Sequence, residues 1–106
     1  MPGFDLSRRA RRDLLDIGER STIRWGDAQA ERYVTALYAT FQRLVERLTI
    51  GRRCDHIRPG LWRVEHASHV VFFRQRPEGL LICRVLHQRM LPEHQPIDDE
   101  DDESLV

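Results

Sequence analysis

The chain has 106 residues, the size of one globular domain, which excludes a two-domain organisation. With 41% apolar and 32% charged residues it is too apolar to be disordered throughout, so one small core is expected. The formal net charge is zero, yet every one of the 17 basic residues is arginine and six acids crowd into segment 98–103, leaving residues 1–97 with 11 acids and a charge of +6. Such a body favours a partner with an anionic surface, phosphate or carboxylate alike. No run approaches the roughly 18 apolar residues of a membrane span and residues 1–6 lack the apolar stretch of a signal peptide, which points to the cytoplasm.

Residues 3–6 are a candidate edge strand. From Ser7, a plausible N-cap, the recurrence of Ala10, Leu14 and Ile17 predicts a helix. Trp25-Gly26-Asp27 stops it and starts the next, because Gly suits a left-handed C-terminal position and Asp can cap. The second helix carries the longest periodic signal, Ala30, Val34, Leu37, Phe41, Leu44 and Leu48, and so short a link makes the two helices antiparallel neighbours. The pattern breaks after Gly51 and again at Arg58-Pro59-Gly60. Three β-prone runs follow, 61–66, 69–75 and 80–87, with connections short enough for antiparallel hairpins. Three strands are marginal alone, so the helical hairpin must cover one face. The fold class is α+β, a helical hairpin packed on a small antiparallel sheet, over residues 1–95. Pro92 and Pro96 end regular structure, and 96–106 reads as a disordered acidic tail.

Metal and redox chemistry find little support. Cys54 and Cys83 form no paired motif, and Cys83 reads as a small buried hydrophobe. His66 and His69 flank the first strand turn, but two ligands are too few for a metal site. The terminal Ser104-Leu105-Val106 is assigned no role. No cofactor is implied.

Four segments resemble the ParE toxins of the RelE/ParE superfamily of type II toxin-antitoxin modules. They are Leu6-Ser7 with Ala10 and Asp13-Leu14; Arg24-Trp25-Gly26 with Gln29-Ala30-Glu31-Arg32-Tyr33; Ile57-Arg58-Pro59-Gly60; and Ser68 to Arg74 leading to Arg84-Val85-Leu86-His87-Gln88-Arg89-Met90. The family often has Tyr where Phe73 stands, and the acidic tail is foreign to its pattern. The resemblance implies a non-catalytic inhibitor of DNA gyrase neutralised by a ParD-like antitoxin, with the helical hairpin on a small sheet reached above. The superfamily's other branch, similar to RelE, implies the alternative of a ribosome-dependent mRNA endoribonuclease.

Cleavage of that kind needs a proton acceptor, a proton donor and phosphate binders. Here His87 with Arg63, Arg74 and Arg84 are the candidates, although Arg84 and His87, three apart on one strand, fall on opposite faces unless the strand bends. A binding toxin needs only a basic, shaped surface, and Arg pairs bidentately with carboxylate or phosphate. On that reading no residue is catalytic, Arg58, Arg84, His87 and Arg89 contact the target, and no sequence-specific nucleic-acid binding is expected. Tyr33, Tyr38 and Val45 flank the main stripe of the second helix and Trp25 sits at the hairpin tip, and this surplus apolar surface is the expected antitoxin contact. Each of these residues has an ordinary structural alternative: an arginine paired with a helix acid, an aromatic at the core boundary.

Overall fold

The computed structural model describes residues 3–97. The acidic run from Asp98 and the terminal Ser104-Leu105-Val106 lie outside the described residues.

Helix α1 (Arg8–Trp25) begins where expected. The Ser7 hydroxyl oxygen accepts from the Ala10 N–H at 2.9 Å, and the same hydroxyl donates to the Cys83 carbonyl at 2.8 Å, so one side chain caps the helix and ties it to the sheet. Ala10, Leu14, Ile17 and Ser21 form its buried stripe. The helix ends at Gly26, whose φ of 91° is left-handed and whose N–H bonds the Thr22 carbonyl. Gly26 also stands at the N-cap of α2 (Asp27–Glu46), which places Asp27, the expected cap, inside the first turn, where its charge complements the helix dipole. In α2 the residues Ala30, Leu37, Thr40, Phe41 and Leu44 are buried.

Strands β1 (Gly3–Leu6), β2 (Arg52–Arg53), β3 (Leu61–His66), β4 (His69–Arg76) and β5 (Gly79–His87) form one sheet in the order β1-β5-β4-β3-β2. β3, β4 and β5 are the expected antiparallel hairpins. β1 joins parallel to β5, so the sheet is mixed rather than antiparallel throughout, and the two-residue β2 extends it beyond β3.

Both faces of the sheet are covered. Val71, Phe73, Leu80, Ile82 and Val85 meet Leu14, Ile17, Leu37, Phe41 and Leu44 of the helices. On the other face Val70, Phe72, Leu81, Cys83 and Leu86 are covered by Cys54 and Ile57 from the loop before β3 and by Ile97. The body therefore extends past residue 95: Ile97 is fully buried, and the Pro96 carbonyl accepts from Arg84 Nη1 at 2.8 Å. Between the β4–β5 pairs Phe72↔Arg84 and Phe73↔Ile82 the register skips Cys83, a bulge that puts Ile82 and Val85, three apart, on the same face. Among the described residues no helix is long and apolar enough to cross a membrane.

Candidate functional site

At one end of the sheet three histidines stand in adjacent register: His66 opposite His69 across β3–β4, and His69 opposite His87 across β4–β5. The His69 and His87 rings meet edge to face, with centroids 5.5 Å apart. Helix α2 closes over them. Tyr33 Oη lies 2.7 Å from His69 Nδ1, and the Thr40 hydroxyl lies 3.2 Å from His66 Nδ1. Burial pushes the His69 pKa below its ordinary value, and the neighbouring His87 and His66 push the same way against a weaker pull from Asp13. Burial, with help from the Arg43 charge, likewise lowers His66. His87 Nδ1 accepts the backbone N–H of Arg89 at 3.1 Å, so the neutral ring carries its proton on Nε2.

Arg84 takes a structural place. It is only 8% exposed, and Nε and Nη2 donate to the two Asp13 oxygens at 2.8 and 2.9 Å while Nη1 holds the Pro96 carbonyl. Asp13 Oδ2 also accepts the Val85 N–H at 2.9 Å. The pair thus fills the edge of β5 that β1 leaves open after Leu6, and it joins α1, β5 and the C-terminal segment. In register Arg84 pairs with Phe72 of the outer face, as the spacing predicts, but its guanidinium turns round that edge to Asp13. It therefore lines the same depression as His87.

The other expected target contacts divide. Arg89 is exposed two residues after His87, in the turn closed by the Met90 N–H to the His87 carbonyl at 2.9 Å. Arg58 lies at the far end: Arg74, opposite Leu61, donates to the Pro59 carbonyl at 2.7 Å, and Arg74 stands five positions along β4 from His69, about 17 Å of strand. Arg63 and Arg74, the further phosphate-binding candidates, are committed elsewhere too. Arg63 bonds Glu65 at 2.9 Å and lies over the Phe72 ring, on the face away from the helices.

Trp25, Tyr33, Tyr38 and Val45 do not form one strip. Tyr33 is turned to the histidines; Tyr38 packs on Phe4 and Phe41 near β1; Val45 is partly buried against the core; Trp25 projects from the hairpin tip, 54% exposed, with the Arg24 guanidinium 5.1 Å from its ring centre. The two most exposed large apolar side chains among the described residues are on α1. Leu15 and Ile23, 69% and 86% exposed, stand beside a groove of about 830 Å³ between the outer sides of α1 and α2, lined also by Gly18, Ala30 and Val34 and edged by Glu19, Asp27 and Glu31. Leu15 and Ile23 are eight apart, a second helical ridge off the Leu14 stripe and the signal by which the sequence carries this groove. Among the described residues no group of three or more His, Cys, Asp or Glu is arranged to hold a metal ion.

A family model described as the ParE toxin of type II toxin-antitoxin system, parDE, matches residues 4–92. The toxin ParE1 of Mycobacterium tuberculosis (strain CDC 1551 / Oshkosh) is 42% identical over 86 residues, 80% of this chain and 88% of that protein. The toxin ParE1 of Caulobacter vibrioides is 42% identical over 90 residues, 85% of this chain and 93% of that protein. In fold the chain is similar to a solved chain of the chromosomal ParDE toxin-antitoxin system from P. aeruginosa, with a TM-score of 0.70 at 20% identity, covering 82% of this chain and 96% of that one. It is also similar to a chain of the toxin-antitoxin complex RelBE2 from Mycobacterium tuberculosis, with a TM-score of 0.59 at 19% identity, covering 82% and 99%.

Proposed function

The chain belongs to the ParE toxin family of type II toxin-antitoxin systems, and from that premise we propose that it poisons DNA gyrase in the cytoplasm by binding rather than catalysis and is silenced by a ParD-like antitoxin. The observation that carries the binding reading is the commitment of Arg84. A ribonuclease of the RelE type needs a guanidinium beside its acid and base to take charge from the scissile phosphate. Here the sheet arginines expected in that role are engaged, Arg84 with Asp13 and Pro96 and Arg63 on the opposite face, and Arg20 and Arg24 of α1 face the histidines only across the depression between them. His87 and Arg89 then serve as contacts, Arg84 positions the segment that carries them, and Arg58 touches only a target wide enough to reach the far end of the sheet. Expression of the chain is expected to arrest growth, relieved by its antitoxin, with ribosome-bound messages intact by primer extension. Message cleavage that disappears with His87→Ala would favour the RelE-like alternative instead.

The antitoxin reading is best served by the groove between α1 and α2. An amphipathic helix with basic residues along its sides suits apolar walls edged by Glu19, Asp27 and Glu31. Ile23→Asp and Leu15→Asp should each weaken the complex with antitoxin by about 1–2 kcal/mol or more, because the new carboxylate is buried against apolar surface. Both side chains are exposed in the free chain, so folding should be unaffected. Calorimetry checks this; unchanged affinity for both variants would place the antitoxin elsewhere.

A further inference from the structure

Beside the histidines, between α1 and the ends of β4 and β5, lies a half-enclosed depression of about 400 Å³ that neither the gyrase reading nor the antitoxin reading uses as a pocket. Its size is at the lower end of small-molecule sites. Arg20 and Arg24, one helical turn apart, project from the same side of α1 and can converge on one anion. Trp25 closes that wall, and the Arg24 guanidinium lies against its ring. Ser68, His69 and His87 form the opposite wall over an apolar floor that includes Ile17 and Val85. Two carboxylates also line the depression. Asp13 is neutralised by Arg84, which leaves Asp16 against two arginines and the local balance positive.

We propose that this depression is a nucleotide site, taking a nucleoside monophosphate, free or at the end of a nucleic-acid strand, with its phosphate on Arg20 and Arg24 and its base against Trp25. The planar fork of Arg matches phosphate oxygens, and an exposed indole beside it offers the stacking surface that every base can use without sequence selection. Neither feature alone separates a nucleotide from another anion; a phosphate grip next to an aromatic platform, in a depression of nucleotide size, does. The site shares His87 with the gyrase reading but does not rest on it, since its phosphate and base contacts are Arg20, Arg24 and Trp25.

The test uses the full-length chain carrying Trp62→Phe, so that Trp25 is the fluorescent reporter. It is titrated separately with AMP, adenosine, inorganic phosphate and a 5′-phosphorylated trinucleotide. Saturable quenching by AMP is expected, with adenosine and phosphate each at least about tenfold weaker. Arg20→Gln and Arg24→Gln should each weaken AMP by about fivefold or more. Trp25→Leu, followed by the His69 and His87 ring signals in NMR, should weaken it about tenfold. A trinucleotide bound more tightly than AMP assigns the site to strands, and equal binding assigns it to free nucleotides. No saturation by AMP or trinucleotide up to about 10 mM would overturn the proposal. So would phosphate binding as well as AMP, or affinity unchanged in folded Arg20→Gln and Trp25→Leu.

Discussion

Asp13→Ala should unfold the domain about 3–5 kcal/mol more easily than the parent, the largest loss expected from any single polar substitution here. The carboxylate satisfies three donors at once, Arg84 Nε, Arg84 Nη2 and the Val85 N–H, and the pair is largely buried between α1 and β5. Removing it leaves a buried cation and a backbone donor without partners, and each is costly. Arg84→Met should cost less, because Asp13 keeps the Val85 N–H and has a short path to solvent. Asp13→Asn should fall between, since one carbonyl oxygen can serve only part of the set. Total stabilities of small domains are about 5–15 kcal/mol, so the Asp13→Ala protein is expected to be partly unfolded at growth temperature. Urea unfolding reads the loss as a lower midpoint at unchanged slope. A loss below about 1 kcal/mol would mark the pair as an ordinary surface contact.

Gly79→Ala is expected to detach β1. Gly79 has φ of 135°, a conformation that side chains rarely adopt, and a Cβ built there would fall 2.2 Å from the Gly3 carbonyl oxygen. The clash is with backbone, so no rotamer relieves it. Gly3 is the register partner of Gly79, and the parallel pairing of Gly3–Leu6 with β5 starts at this contact. Movement of β1 also withdraws Phe4 from Phe41 and Tyr38, whose ring centres lie 5.3 and 6.1 Å away. Strain and lost burial together should cost about 3 kcal/mol. Amide hydrogen exchange should report it locally, with protection lost first at Leu80, Ile82 and the β1 amides. Gly3→Ala is the control: nothing lies within 4 Å of its Cβ, and stability should stay within about 0.5 kcal/mol of the parent.

What could be read from the chain beforehand follows from the range of each interaction. Ser7, the 3–4 stripe of Ala10, Leu14 and Ile17, and Gly26 act within a few residues, so both helices were legible except at the end of the second, where α2 stops at Glu46 and Leu48 of the expected stripe begins a 3-10 turn. The hairpins were legible for the same reason, since Ala67-Ser68 and Pro77-Glu78 separate runs of β-prone residues. The parallel pairing of β1 with β5 joins segments more than 70 residues apart and leaves no periodic trace in four residues. Nor could β2 be seen, because two arginines acquire strand geometry only by lying beside Arg63 and Trp62. The site shows the same division. Gathering His66, His69 and His87 follows from hairpin register, whereas the commitment of Arg84 depends on Asp13, 71 residues away, and on a bulge at Cys83 that simple alternation hides. The aromatics of α2 read as one strip because helical spacing cannot say that Tyr38 packs beside β1 while Tyr33 turns to the histidines.

The most direct test of the proposed function is a supercoiling assay with purified gyrase, relaxed plasmid and the purified chain, with and without antitoxin. The account predicts that plasmid stays relaxed as the chain approaches stoichiometry with gyrase, that antitoxin restores supercoiling, and that a folded His87→Ala, Arg89→Ala double variant inhibits poorly. Full supercoiling at saturating chain, from a preparation that still binds its antitoxin, would contradict it.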